Sequence, residues 1–115
     1  MKVRLTPGEL RIRLAAEEAA LLGKGVPLED EVHFGGGPAL VLALVPDPAG
    51  IELQARHGPH RIEVRASASR LAEWARGKEM GLYAEQAAGD GLLRIEVEKD
   101  LRPKRPRRER GDGSP

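Results

Sequence analysis

The three histidines carry the most versatile chemistry in this chain: His33, His57 and His60. An imidazole can act as a general acid or base near neutral pH, or as a metal ligand. His33 follows the carboxylates of Glu29-Asp30-Glu31, and the spacing His57-x-x-His60 suits a metal. A metal site needs three or four ligands, however, and the intervening Gly58-Pro59 predicts a hairpin turn. We therefore interpret the histidines as exposed turn residues and assign no metal ligand.

The other candidate catalytic and phosphate-binding signals are explained by local structure. Ser67 and Ser69 stand at a predicted helix start, where capping accounts for them, and no serine lies in a G-x-S-x-G elbow. Gly35-Gly36-Gly37 lacks the Lys-Ser/Thr of a P-loop and predicts a connection between strands. The adjacent carboxylates of Glu17-Glu18 do not converge on one point. The sequence assigns no catalytic residue and no cofactor, and it favours a function other than catalysis.

The C-terminal segment, LRPKRPRRERGDGSP, is strongly basic. Its composition predicts a mobile, cationic tail, because it has almost no apolar surface to bury. The chain is therefore predicted to consist of a globular domain, residues 1–100, and a tail, residues 101–115. Without the tail, 13 basic and 16 acidic residues remain, so the domain itself is mildly acidic. Six tail residues are candidate contacts to nucleic acid or a protein partner: Arg102, Lys104, Arg105, Arg107, Arg108 and Arg110.

The length of the chain predicts one domain, and the redox compartment cannot be read directly from its composition. The chain has 115 residues and no cysteine, so disulfides and thiolate metal sites are excluded. Charges interrupt the N-terminal residues, which therefore do not form a signal peptide. The longest apolar stretch, residues 39–45, is too short to span a bilayer, and we expect a cytoplasmic protein with no membrane partner. The absence of Asn and the 32% of charged residues are typical of a thermophile or of a GC-rich genome.

Apolar and polar residues alternate with period two along most of the chain, which predicts strands. Residues 2–14 predict a hairpin around Thr6-Pro7-Gly8, although a helix starting at Pro7 is an alternative. Further strands are predicted at 31–34, 40–45, 51–56, 61–65, 80–86 and 92–98, with helices at 15–22 and after Ser67. The result is an α+β fold, either a mainly antiparallel sheet or a partly open barrel of about eight short strands, with two short helices.

Trp74 and five arginines could each have a structural or a binding role. Trp74 shares a helical stripe with Leu71, which favours core packing over a ligand platform. The arginines lie on predicted strands and would form one basic face if these strands were neighbours: Arg4, Arg11, Arg13, Arg61 and Arg65. Cross-strand ion pairs with interleaved glutamates are the favoured interpretation.

Four sequence segments resemble a group of small bacterial proteins known as a conserved domain of unknown function. They are KVRL…LRIRL at 2–14, EVHFGG at 31–36, LAEWA at 71–75 and GDGLLRIEVEKD at 89–100. The resemblance covers about residues 1–100. It implies a one-domain fold and supplies no activity.

Three functions follow as hypotheses. The first is a homo-oligomeric interaction or binding module without enzyme activity, since many short strands leave edges that need cover. The second is nucleic-acid binding through the basic tail, whose cations would neutralise phosphates. The third is a small enzyme in which His33 and a nearby carboxylate act as acid and base.

Overall fold

Eight strands and two helices make up residues 1–100, the part of the chain that the computed structural model describes. The predicted tail, residues 101–115, lies outside that part. The strands are β1 (Lys2–Thr6), β2 (Glu9–Leu14), β3 (Leu28–Val32), β4 (Leu40–Asp47), β5 (Gln54–Gly58), β6 (Arg61–Ser67), β7 (Gly81–Ala88) and β8 (Gly91–Lys99). The helices are α1 (Ala16–Gly23) and α2 (Ala68–Arg76). The predicted α+β class, with eight short strands and two short helices, is confirmed.

The strands form two four-stranded sheets and no closed barrel. Sheet A has the order β1-β2-β8-β7, and sheet B has the order β3-β4-β6-β5. Strands joined by a short turn pair antiparallel, as predicted. The central pairs, β2 with β8 and β4 with β6, are parallel instead. These pairs join strands that are distant along the chain, so the turn argument does not apply to them.

The two sheets repeat one architecture. The first half, β1-β2-α1-β3-β4, has the same element order as the second half, β5-β6-α2-β7-β8, and exchanging the halves converts the order of sheet A into that of sheet B. The strand registers agree as well: Val3–Ile12 and Ile12–Val97 in sheet A correspond to Ala55–Val64 and Val64–Leu44 in sheet B. Equivalent positions in the two halves can therefore be compared directly.

One apolar core joins the two halves. It includes Leu14 and Ile95 from sheet A and Leu44 from sheet B, together with Leu22 of α1 and Trp74 of α2. Trp74 is 0% exposed, which confirms its predicted core role. Burial of side chains this large, at roughly 2 kcal/mol each, is the main source of stability.

The helices approach each other closely at a glycine. A Cβ added to Gly23 at the end of α1 would lie 2.4 Å from the Cβ of Ala75 on α2. Only a hydrogen at this position allows the two backbones to come so near. Gly23 therefore both ends α1, as its sequence position predicted, and sets the distance between the helices.

Two predicted strand boundaries are wrong, whereas the first hairpin is right. The N-terminal residues form β1 and β2 rather than a helix from Pro7. The strand predicted at 31–34 lies at Leu28–Val32, because Leu28 pairs with Leu44 and packs against the core. The strand predicted from Ile51 begins at Gln54, after a turn in which Asp47 Oδ1 accepts the backbone N–H of Ala49 at 2.7 Å.

Candidate interaction surfaces

His33 and Glu31 meet on an open surface. His33 Nε2 lies 3.2 Å from Glu31 Oε1, so the structure does bring the predicted acid–base pair together. The two side chains are 72% and 61% exposed, respectively. A catalytic pair acts on a substrate held beside it and shielded from water. This pair stands in solvent at the end of β3, and its geometry gives the catalytic hypothesis no support.

One of the predicted turn histidines lies on a strand instead. His57 belongs to β5 because it pairs with Ile62 of β6, so the prediction of a turn residue is wrong there. His60 does lie in the turn that follows, with a positive φ of 59°. Gly35 and Gly37, with φ of 87° and 75°, lie in the connection between β3 and β4. Among residues 1–100, no three His, Asp or Glu side chains come close enough together to hold a metal ion.

A cleft of about 680 Å³ lies beside the N-terminus of α2. Ser67 caps the helix by accepting the backbone N–H of Arg70 at 3.3 Å, and the hydroxyl oxygens of Ser67 and Ser69 are 3.1 Å apart. Arg70, which also lines the cleft, donates to both carboxylate oxygens of Glu79 at 2.9 and 2.6 Å. The serines therefore belong to the N-terminal cap of α2, and Arg70 already forms an ion pair with Glu79.

The five arginines lie on two different sheets. Arg4, Arg11 and Arg13 point outward from sheet A, and Arg61 and Arg65 point outward from sheet B. One continuous basic face is therefore not formed. Four of them, all except Arg4, make cross-strand or same-strand ion pairs, which confirms the favoured interpretation for those four.

The outer face of sheet B is divided into columns of different chemistry, and we call it the banded face. The columns are Glu29 and Glu31 on β3, then Val41, Ala43 and Val45 on β4, then Arg61, Glu63 and Arg65 on β6, and finally Arg56 on β5. Register places Ala43 directly between Glu29 and Glu63. An apolar column thus separates an acidic column from a mainly basic one.

Short ion pairs organise the basic side of the banded face. Glu63 accepts a hydrogen bond from Arg65 Nε at 2.6 Å and another from Arg61 Nε at 3.0 Å. The bond from Arg65, aided by that from Arg61, lowers the pKa of Glu63 although partial burial opposes the shift. Arg65 also reaches the buried Asp47 at 3.2 Å, and Arg61 reaches Glu29 at 3.1 Å. The column is therefore pre-ordered rather than a set of free side chains.

The apolar column is not a requirement of the fold. Equivalent outward positions on β8 of sheet A carry Arg94, Glu96 and Glu98, the polar residues expected on a wet sheet face. Ala43 is 3% exposed yet does not belong to the apolar core, and Val41 and Val45 are half-buried. Strand β4 thus has apolar residues on both faces, a pattern typical of strands covered on both sides.

The outer face of sheet A has a different arrangement. Glu98 lies 3.1 Å from Arg11, 3.8 Å from Arg13 and accepts the hydroxyl of Tyr83 at 2.8 Å. Burial would raise the pKa of Glu98, but the hydrogen bonds from Tyr83 and Arg11 outweigh burial and lower it. The hydrogen bond between Tyr83 and Glu98 also raises the pKa of Tyr83. Glu98 is therefore an ionised anchor for three neighbouring side chains.

Comparison with known proteins assigns a family. The model of a family of unknown function, DUF7009, matches residues 1–112, which agrees with the resemblance seen in the sequence. A search of curated proteins and a search of solved structures each found no match. Neither helix within residues 1–100 is long and apolar enough to span a membrane.

The banded face was not predicted from the sequence, although a signal was present. Residues 40–45 form an unbroken apolar run, whereas the other long strands alternate. Such a run indicates a strand covered on both faces. Recognising the charged columns beside it also requires the register of β3, β4 and β6.

Proposed function

We propose that this chain, which belongs to DUF7009, a family of unknown function, is a non-catalytic interaction module that forms a homodimer through the banded face of sheet B. The observation that carries the proposal is the apolar column of β4, Val41, Ala43 and Val45, flanked by columns of opposite charge. A second sheet laid on this column would cover the half-buried Val41 and Val45 on either side of Ala43, which is already buried. That is the arrangement found between packed sheets and in many homodimers.

Charge complementarity favours a second copy of the chain as the partner. Most soluble oligomers have two-fold symmetry, so each surface patch meets its own copy. A two-fold axis parallel to β4 places β4 against β4 and exchanges left with right. The acidic side, Glu29 and Glu31, then lies over the basic side of the other copy, with Arg61 and Arg65. The face is thus complementary to itself, which a random charge pattern is not.

The exposed carboxylates leave room for contacts to a partner. Glu29 is 53% exposed although it contacts Arg61, and Glu31 is 61% exposed beside His33. Arg56 is exposed and has no ion-pair partner within residues 1–100. Glu31 and Arg56 can bind across an interface without breaking the ion pairs around Glu63. Because such contacts are electrostatic, the dimer should weaken as salt rises.

Charge reversal at exposed positions tests the proposal without disturbing the core. Glu31→Arg and Arg56→Glu should each weaken dimerisation of the full chain, measured by sedimentation equilibrium at micromolar concentration, by at least about tenfold. The double variant exchanges the charges at these two positions and should recover part of the loss. Glu85→Arg, an exposed glutamate on the outer face of sheet A, is the matched control and should have no effect.

Two results of these experiments would contradict the proposal. Monomeric wild-type protein at these concentrations contradicts the proposal. So does a dimer that Glu85→Arg weakens as much as Glu31→Arg, since that would place the interface on sheet A. Native mass spectrometry of each variant gives an independent count of subunits.

A further inference from the structure

Strand β7 gives sheet A a long edge with few charges. Each of the other three edge strands, β1, β3 and β5, has five residues, whereas β7 has eight. Charged side chains occupy two positions of β1 and three of β3, but a single position of β7, Glu85. Proteins usually keep edge strands short or charged, because a long and uncharged edge accepts further strands. β7 has neither protection.

Alternate residues of β7 direct their backbone polar groups toward this edge. Where β7 approaches β8, the backbone N–H of Lys99 donates to the carbonyl of Met80 at 2.9 Å. The alternation of an antiparallel ladder then directs the N–H and C=O of Ala84 toward β8 and those of Tyr83 and Glu85 away from it. Sheet A has no further strand on that side within residues 1–100. These groups can therefore pair with a strand added from outside.

The edge of β7 is accessible although sheet B lies close to it. The side chain of Gln86 reaches the backbone of Ala55 on β5, and side chains stand roughly perpendicular to their sheet. β5 therefore lies beneath β7 rather than beside it. Consistent with this placement, Tyr83 is 56% exposed and the side chain of Glu85 is 53% exposed.

The cleft beside α2 extends to the first half of this edge. Leu82 and Tyr83 project to opposite faces of sheet A, and both line the cleft, so the cleft lies at the edge of the strand rather than on one face. Leu53 and Ala66 of sheet B add apolar walls. The volume of about 680 Å³ falls within the range of ligand sites, roughly 300–1,000 Å³. An open strand edge thus adjoins a cavity that can hold the side chains of an added strand.

The charges around the cleft favour a cationic partner. Arg70 and Glu79 neutralise each other through their two hydrogen bonds. Glu73 is 68% exposed and no closer than 3.9 Å to Arg70, and Glu52 is exposed and has no ion-pair partner within residues 1–100. Two carboxylates are therefore left for a partner. The exposed ring of Tyr83 offers a cation a further favourable surface.

We propose that β7 binds an extended basic segment of another protein, which joins sheet A as a fifth strand. Such strand addition takes its affinity from main-chain hydrogen bonds and its specificity from pockets for alternate side chains. The segment should alternate apolar residues, packed on Leu82 and Leu53, with Lys or Arg beside Glu85. A second copy of β7 is a poorer occupant, because it would bring the acidic groups of both copies together. The site does not depend on dimerisation through sheet B.

A fluorescent peptide of four Val-Lys repeats, titrated with the full chain and followed by anisotropy, tests the proposal. It should bind at micromolar concentration, and a peptide of four Val-Glu repeats should bind at least about tenfold more weakly. Two N-methylated versions, one modified at every valine and one at every lysine, separate strand addition from charge attraction. The version modified on the side that faces β7 should lose at least about tenfold in affinity, whereas the other should retain most of it.

A proline on the open edge tests the same contact from the side of the protein. Glu85→Pro removes an N–H that points away from β8 and leaves the ladder to β8 intact. It should weaken binding at least about threefold relative to Glu85→Ala, the matched control that loses the same carboxylate but keeps the N–H. In the wild-type chain, the peptide should slow hydrogen exchange at the N–H groups of Tyr83 and Glu85 at least about tenfold, and that of Ala84 less, since Ala84 is already paired with β8.

A pair of double variants with the same change in charge tests the cleft. Glu52→Gln/Glu73→Gln should weaken binding of the Val-Lys peptide by at least about fivefold. Glu29→Gln/Glu31→Gln, on β3 of the other sheet, should retain the wild-type affinity. Equal effects of the two variants would overturn the proposal, because they would indicate binding governed by total charge.

Three further results would also overturn it. The first is no binding of the Val-Lys peptide at millimolar concentration. The second is equal affinity of the two N-methylated versions, together with unchanged hydrogen exchange at Tyr83 and Glu85. The third is self-association of the chain that Glu85→Pro abolishes, without binding of the peptide, since that would assign the edge of β7 to a second copy.

Discussion

Gln86 on β7 holds the two sheets together along one side, and its removal should destabilise the protein measurably. Its side-chain amide accepts the N–H of Ala55 at 2.8 Å and donates to the carbonyl of Ala55 at 2.9 Å. The amide thus completes the backbone pairing of the edge strand β5 from the opposite sheet. Each partly buried hydrogen bond contributes about 1 kcal/mol, so Gln86→Ala should lower the free energy of unfolding by about 2 kcal/mol.

Thermal and urea unfolding measure this loss. For a domain of this size, about 2 kcal/mol corresponds to a fall in Tm of about 10 °C. Gln54→Ala is the matched control, because Gln54 is an exposed residue adjacent to Ala55 and no hydrogen bond of its side chain links the two sheets within residues 1–100. A loss for Gln86→Ala that is no larger than that for Gln54→Ala would refute the idea that this amide joins the sheets.

Two other predictions concern the helices and the response to acid. Gly23→Ala should destabilise the protein by about 1–3 kcal/mol, because the added methyl group would meet Ala75. This loss should exceed the gain from the higher helix propensity of Ala. A free energy of unfolding that is unchanged or increased would contradict the close approach of the helices. Glu63 and Glu98 have pKa values lowered below 4.5, so their contribution to stability is complete above about pH 4.5 and is lost as the pH falls through the lower folded-state values. Urea unfolding should therefore give a lower free energy of unfolding at pH 3 than at pH 7. Glu63→Gln should make this difference smaller. A free energy of unfolding that is the same at both pH values would contradict the prediction.

Local features of the chain were predictable from the sequence. The turn at Thr6-Pro7-Gly8, the Ser67 cap and the stop at Gly23 rely on backbone preferences of single residues. Period-two alternation then located most strands, because a half-buried strand shows that pattern by itself. Errors arose at β3 and β5, where tertiary packing rather than local composition sets the strand ends.

The pairing of the sheets was not predictable from the same patterns. β2 joins β8, and β4 joins β6, across long stretches of chain, and alternation does not specify a partner. The internal repeat is equally hard to see, since equivalent positions conserve only apolar character. Ile12 corresponds to Val64, and Leu22 of α1 has Trp74 of α2 as its counterpart.

The candidate surfaces depend on this pairing. The sequence pointed to the arginines and favoured ion pairing, but it did not show that they lie on two different sheets. Once the register is known, Arg61 and Arg65 belong to the banded face, whereas Arg4 and Arg11 lie on the outer face of sheet A. The six candidate contact residues of the tail, from Arg102 to Arg110, lie outside the described residues, and their role stays a prediction.

The mass of the native particle tests the central proposal most directly. Native mass spectrometry of the full chain at micromolar concentration should give a species of twice 12.5 kDa that dissociates as the salt concentration rises. The charge-reversed variant Glu31→Arg should give mainly the 12.5 kDa species under the same conditions. A wild-type chain that is monomeric at every salt concentration would contradict the account.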